Sequence, residues 1–397
     1  MSVKKSVNLI GYPGVLENGY LRGGAWEPGF YKRQINGTYP PTVSAVMYSR
    51  ATGVHFIIDG DGRLWTSEYG SQYTPHENFC RNKAFLVDAY FYDEVTPIVV
   101  SGDKAFTYEY GKFTEIDLPY RYSCGIMHCG RLFGADECTL TWSSPDDYFD
   151  GELSLDKSGY AELDHARGEV LSLVVYKGKL IAVRKRGLTV ISAYESPEKF
   201  SVDFTDTDCD DIIDNTAQVV GGKLFFYTAS GLKVFDGTKI SAYETSHALE
   251  IPGFSATDGQ YYYVSGYSEE IDDDGILCVN ASNGESCITR EFAGHVYFKS
   301  TLQYISGDEH GQFIGTGTFC FNSGAINFGT DKPKTVTEIK VTGSARICVD
   351  NGRFKRKFTI TDGIVRPRLR GRQFKITVES ESRVSELTVT AEVADGI

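Results

Sequence analysis

Residues 216–244 carry the clearest structural pattern in this chain. Four short runs of β-branched and aromatic residues occur there, at 217–220, 223–227, 232–235 and 240–243. Such runs are too short for helices, and each gap between them carries a glycine, which accepts the positive φ of a tight turn. The stretch therefore predicts a four-stranded antiparallel meander of the size of one propeller blade.

The same order of strand, glycine turn and strand recurs along the chain. First strands near residues 43, 85, 122, 170, 216, 253 and 293 follow one another at intervals of 37 to 48 residues. That spacing is typical of propeller blades. The sequence predicts an all-β protein with a six- or seven-bladed β-propeller over residues 43–328. A long β-sandwich or a pair of barrels is the alternative.

The first 42 residues are predicted to be an extended N-terminal arm without regular elements. Glycine and proline interrupt the segment at short intervals, although it carries Trp26, Phe30 and Tyr31. We expect such an arm to pack its aromatic side chains on the side of the propeller or on a neighbouring subunit. These three residues are the candidate arm contacts.

Residues 329–397 differ in pattern from the blades. Six short runs in which apolar and polar residues alternate predict a C-terminal β-sandwich module there. Four arginines there recur with a period of two, which predicts that they share one face of one strand. They are Arg366, Arg368, Arg370 and Arg372. The stripe either contacts an anionic partner, such as DNA phosphates or an acidic protein surface, or protects an exposed edge against aggregation.

The net charge of −13 is unevenly distributed. Residues 331–397 carry 14 Lys/Arg and 9 Asp/Glu, a net charge of +5, which leaves 26 against 44, or −18, for residues 1–330. An acidic body and a basic terminal module are expected to meet different neighbours. No apolar run reaches the roughly 18 residues of a membrane span. The N-terminus lacks the pattern of a signal peptide, so we expect folding in a cytoplasm and free thiols.

The sequence offers no motif for a metal, a cofactor or a nucleophile. The nine cysteines include no Cys-x-x-Cys pair, and the seven histidines are isolated. Acidic segments at 203–211 and 269–275 lack the ligand spacing of a calcium loop and are read as solvated loops, with Ca²⁺ binding left open. Nucleophile elbows, P-loops and dinucleotide fingerprints are absent. We predict a protein that is not an enzyme and has no cofactor; a glycan hydrolase is a less favoured alternative.

Several segments follow one another in a characteristic order. They are Gly19-Tyr-Leu-Arg22, Pro28-Gly-Phe-Tyr-Lys-Arg33, a first blade ending in Gly62-Arg-Leu-Trp65, Leu140-Thr-Trp-Ser-Ser-Pro-Asp-Asp-Tyr-Phe149, and a closing module with Gly324-Ala-Ile-Asn-Phe-Gly329 and Arg368-Leu-Arg-Gly-Arg. This order resembles tailed-bacteriophage tail-hub proteins of the packaged-DNA-stabilisation (head-completion) type and their tail-nozzle relatives. The likeness covers most of the chain, although the arm is longer between Arg22 and Pro28 than in that family.

The resemblance implies a virion structural protein without a catalytic site. Such proteins form a ring, usually of six copies, below the portal and adaptor; the ring extends the DNA channel, helps retain packaged DNA and anchors tail fibres or a needle. The implied partners are other copies of the chain, the adaptor, a fibre or needle protein, and DNA that passes without sequence specificity. The implied location is the virion tail after assembly in the host cytoplasm. A receptor- or glycan-binding propeller, with an aromatic groove near residues 261–263, is the second interpretation.

Overall fold

The computed structural model describes residues 2–10, 12–22, 24–29, 31–91, 94–145, 147–149, 157–194, 196–203, 207–290, 295–298, 302–306, 309–314 and 317–394. Within these ranges the regular structure is almost entirely β, with only two 3₁₀ turns, at His165–Arg167 and Pro197–Lys199. No helix there is long and apolar enough to cross a membrane.

Thirty-seven strands are described. The N-terminal ones are β1 (Ser2–Asn8), β2 (Val15–Glu17), β3 (Gly19–Arg22), β4 (Ala25–Pro28) and β5 (Tyr31–Gln34). Those of the first four meanders are β6 (Ala45–Tyr48), β7 (His55–Ile58), β8 (Arg63–Ser67), β9 (Thr74–Phe79); β10 (Ala84–Phe91), β11 (Glu94–Glu109), β12 (Lys112–Tyr122); β13 (Cys124–His128), β14 (Arg131–Asp136), β15 (Thr139–Trp142), β16 (Gly159–Glu162); β17 (Val170–Tyr176), β18 (Lys179–Arg184), β19 (Leu188–Ser192) and β20 (Ser201–Asp203). The next three meanders hold β21 (Gln218–Val220), β22 (Lys223–Thr228), β23 (Gly231–Phe235), β24 (Ile240–Ala242); β25 (Ile251–Thr257), β26 (Tyr261–Ser268), β27 (Asp273–Asn280), β28 (Ser286–Arg290); β29 (His295–Phe298), β30 (Leu302–Ser306) and β31 (Glu309–Ile314). The C-terminal strands are β32 (Phe319–Ile326), β33 (Lys334–Asp350), β34 (Lys355–Val365), β35 (Leu369–Gly371), β36 (Phe374–Ser380) and β37 (Val384–Ala394).

The meanders are arranged as a β-propeller, as predicted. The first strand of each meander contacts the first strand of the next, and β29 contacts β6, so the meanders close into a ring. These first strands are β6, β10, β13, β17, β21, β25 and β29. Six of the meanders form sheets of their own, whereas β25 to β28 are hydrogen-bonded into the sheet of the C-terminal module. We number the meanders blades 1 to 7 in chain order.

The ring closes through a strand from the N-terminal arm. Blade 7 has only three strands of its own, and β5 pairs with β31 as its fourth, in the register Gly311↔Gln34 to Ile314↔Tyr31. Joining the two ends of a propeller within one sheet leaves β31 without an open edge. The arm is thus part of the propeller as well as an appendage to it.

The expectation that the arm lacks regular elements is wrong, because residues 2–34 contain β1 to β5. Each of these strands has three to seven residues, which is short enough to fit between the Gly and Pro interruptions. Three of them have partners that are distant in sequence: β1 pairs with β37 from Ser2↔Ala394 onward, β2 pairs with β32 and β5 with β31, whereas β3 and β4 pair with each other as a local hairpin. The arm therefore gains most of its structure from long-range pairing and the rest from this one hairpin.

The C-terminal module is built around β33. Residues 334–343 of this strand pair with β37, and residues 346–350 pair with β36, with register shifts near Gly343, whose φ is 115°. The strand thus bends between two groups of strands that share one apolar core, which includes Val336, Ile347, Phe374 and Val389. β32, which lies within the range predicted for the propeller, pairs with β36 in this module.

The module and blade 6 are continuous. β2 lies between them, pairing with β28 through Glu17↔Ile288 and with β32 through Leu16↔Phe321. Since inter-strand hydrogen bonds cross the junction, the propeller and the module are connected by more than a linker.

Candidate interaction surfaces

The strand β34 is an open edge of the C-terminal module. It pairs with β33 from Asp350↔Lys355 to Ile339↔Val365, and with no other strand of the described chain. Most of its side chains are exposed, including Lys355, Arg356 and Lys357. About half of its backbone N–H and C=O groups point away from β33, as on any edge strand.

The four predicted site arginines are exposed, but they do not lie on one strand. β34 ends at Val365, Arg366 and Arg368 lie in the connection that follows, and only Arg370 is within β35. Pro367 supplies no N–H for a ladder, and Arg368 has a φ of 50°, so the chain cannot continue as a strand here. Exposed and buried side chains nevertheless alternate along this segment, because Pro367 and Leu369 between the arginines are buried.

The charge of this region is largely uncompensated. From Arg353 to Arg372 the sequence holds eight Lys/Arg and one Asp. The Lys355 ammonium lies 3.1 Å from a carboxylate oxygen of Asp350, and the Arg356 guanidinium donates to the Pro367 carbonyl at 2.7 Å. Within the described residues Lys357 and the four predicted arginines form no ion pair. We call residues 353–372 the basic edge.

A shallow cavity of about 550 Å³ lies on the outer face of β33, β34 and β36, next to the basic edge. Its lining includes Lys355, Lys357, Arg346 and Glu379. The Arg346 Nε lies 3.4 Å from a carboxylate oxygen of Glu379. Three cations against one carboxylate favour an anionic partner here.

Of the three candidate arm contacts, Trp26 has a clear role. It is 2% exposed, and its ring lies 4.3 Å from that of Phe321 and 5.9 Å from that of Phe319, measured between centroids. Tyr31 begins β5 and pairs with Ile314 through the backbone. Phe30 lies outside the described residues. The surface that Trp26 contacts is thus the module of its own chain.

A second candidate site lies at one mouth of the propeller's central channel. Lys83, at the start of blade 2, donates to Asp214 of blade 5 at 2.6 Å and to the Leu171 carbonyl of blade 4 at 3.1 Å. A cavity of about 640 Å³ surrounds this contact and is also lined by Arg81 and His295. Burial lowers the pKa of His295 to about 4, so this side chain is neutral at pH 7. Lys83 therefore spans the channel mouth, a role that no local sequence pattern indicates.

Exposed tyrosines mark the opposite end of the propeller, where the first strand of each blade finishes. Five of them, each more than half exposed, belong to blades 1 to 4: Tyr69, Tyr90, Tyr110, Tyr160 and Tyr194. Aromatic side chains of this kind are enriched at recognition surfaces. The triplet 261–263 is not among them, since Tyr262 and Tyr263 are buried in blade 6.

The acidic segments and the cysteines form no metal centre in the part of the chain that the structure describes. In the turn between β26 and β27, Glu270 accepts from His247 at 2.9 Å and Asp272 from Tyr267 at 2.9 Å. Residues 204–206 of the other acidic segment lie outside the described ranges. All nine cysteines are free, as predicted, and burial raises the pKa of Cys80 to about 12, which makes that thiol a poor nucleophile.

Comparison with known proteins identifies the fold and no family. No family model and no curated protein matches the chain. Among solved structures, the β-propeller domain of Cps50 (Swd1) from Myceliophteria thermophila is similar with a TM-score of 0.51 and 12% identity, over 72% of this chain and 100% of that one. Raptor from Chaetomium thermophilum is similar with a TM-score of 0.53 and 11% identity, over 72% of this chain and 29% of that one. At such identities the likeness concerns the propeller alone, and it does not bear on the resemblance to phage tail proteins.

Proposed function

We propose that this protein is a non-enzymatic virion structural protein, a subunit of a phage tail hub or nozzle ring. In this role the ring extends the DNA channel below the portal and adaptor, helps retain packaged DNA and anchors the distal tail parts. The C-terminal module, as a β-sandwich, is the part that docks on neighbours. The acidic body faces the channel, where like charge lets a duplex slide instead of sticking.

The observation that carries the proposal is the hydrogen-bonded junction between blade 6 and the C-terminal module. Because β2 pairs with both β28 and β32, the basic edge belongs to the same sheet as blade 6 of the propeller. A ring subunit needs such fixed geometry, since closure depends on a constant angle between its two contact surfaces.

The test is the mass of the purified protein in solution, alone and mixed with the other tail proteins of its particle. We expect a closed oligomer, or a monomer that assembles once a tail partner is added. A protein that stays monomeric with every tail protein contradicts the proposal. Replacement of Arg366, Arg368, Arg370 and Arg372 by alanine is expected to leave a soluble monomer that does not join particles.

A second candidate function, recognition of a receptor or glycan, is favoured by the exposed tyrosines of blades 1 to 4. Tyrosine offers a rigid, amphipathic contact at low entropic cost. The test is a glycan array or a cell-binding assay, with Tyr69→Ala/Tyr110→Ala as the variant. Binding that this variant loses supports recognition, and absence of binding by the native protein contradicts it.

A further inference from the structure

We propose that the basic edge docks head to tail on an acidic turn in blade 6 of a second copy of this chain. The acidic turn comprises residues 269–274, that is, the connection from β26 to β27 and the first two residues of β27. This inference rests on the proposed ring function and names the two surfaces that join its subunits.

The basic edge offers an open strand for association, but it repels the same edge of a second copy. β34 leaves eleven residues of backbone unpaired on one side, which is a template for association. The same strand begins with Lys355, Arg356 and Lys357, and like charges oppose the pairing of two such edges. The partner surface must therefore differ from the basic edge and carry the opposite charge.

The chain itself carries an acidic surface of this kind. Five of the six residues from Glu269 to Asp274 are acidic. Glu270 and Asp272 have partners in His247 and Tyr267, which fix the turn, while Glu269 and Asp272 are exposed. Asp273 and Asp274 form no ion pair with any residue that the structure describes.

The basic edge and the acidic turn do not pair with each other within the described part of one chain. Across the described ranges, no ion pair or hydrogen bond links the basic edge to the acidic turn. Each surface therefore remains available to another molecule. Since the two surfaces differ, each copy offers one of each, and the contact is heterologous; it generates a ring when the rotation closes.

The experiment measures self-association by sedimentation at low and at high salt. We expect association that high salt weakens, because screening acts on exposed charge contacts. Arg366→Glu/Arg368→Glu/Arg370→Glu should lower the association constant by about 100-fold. The matched control is Arg50→Glu/Lys112→Glu/Lys239→Glu, which changes the net charge equally on exposed propeller positions and should associate like the native chain.

A charge exchange separates docking from misfolding. Glu269→Lys/Asp273→Lys/Asp274→Lys alone should weaken self-association to a similar extent as the reversed edge. An equal mixture of the two reversed chains should associate like the native chain, because each edge then meets a turn of opposite charge. A reversed-edge chain that associates like the native one overturns this inference and leaves the ring proposal standing. A native chain that is monomeric with and without tail proteins overturns both. If the reversed edge instead loses binding to a DNA duplex while self-association is unchanged, the partner is a nucleic acid and this inference is wrong.

Discussion

Replacement of Trp26 by alanine tests whether the N-terminal arm holds the C-terminal module together. Trp26 belongs to β4 of the arm, is 2% exposed and packs against the rings of Phe319 and Phe321 in β32 of the module. A buried tryptophan removes roughly 200 Å² from water, which at about 25 cal/mol per Å² is about 5 kcal/mol. Measured losses for Trp→Ala in cores are about 3 to 5 kcal/mol. We expect the free energy of unfolding of the module to fall by about 4 kcal/mol.

The assay is urea unfolding followed by circular dichroism and by fluorescence. Trp65 and Trp142 remain in blades 1 and 3, so fluorescence reports on the propeller after Trp26 is removed. Tyr69→Ala is the control, because Tyr69 is 83% exposed and its loss should change stability by less than about 0.5 kcal/mol. A Trp26→Ala loss below about 1 kcal/mol would refute the view that the arm is an integral part of the module.

Three further predictions concern the propeller. Burial lowers the pKa of His295 and His310 to about 4. Between pH 7 and pH 5 the folded state therefore binds fewer protons than the unfolded state. The free energy of unfolding should fall by about 2 kcal/mol per histidine over this range. Thermal unfolding at each pH measures this, and the His310→Gln variant should show a flatter profile. Gly134→Ala should lower the free energy of unfolding by about 1 to 3 kcal/mol, because a Cβ there would lie 2.0 Å from the buried Tyr122 ring. Gly253→Ala is the control: a Cβ there would have no atom closer than 3.5 Å, so stability should not change in the same unfolding assay. Deletion of residues 2–34 should abolish soluble expression, because it opens the edge of β31 and removes four strands from the module; a soluble, folded product by circular dichroism would contradict this.

Turns that carry glycine made the blades predictable. In blade 5 the predicted runs 217–220, 223–227, 232–235 and 240–243 differ by at most one residue from the observed strand limits. Both the turns and the strands they join are local there, so a short window of sequence contains the whole meander.

Long-range pairing made the arm unpredictable. Ser2 pairs with Ala394, and the sequence between them gives no sign of that register. The prediction that the four arginines share one strand was wrong for a different reason. Their period of two reflects alternating burial around Pro367, and this proline prevents β34 from continuing past Val365. The contact of Lys83 with Asp214 joins two blades across the channel, so it left no motif at all.

Electron microscopy of the assembled protein shows directly whether its copies form a closed ring. We expect closed rings with a continuous lumen lined by the acidic propellers, and with the basic edge of each copy at the boundary with the next. Images that show only isolated propellers, both for the protein alone and in the presence of the other tail proteins, would contradict it.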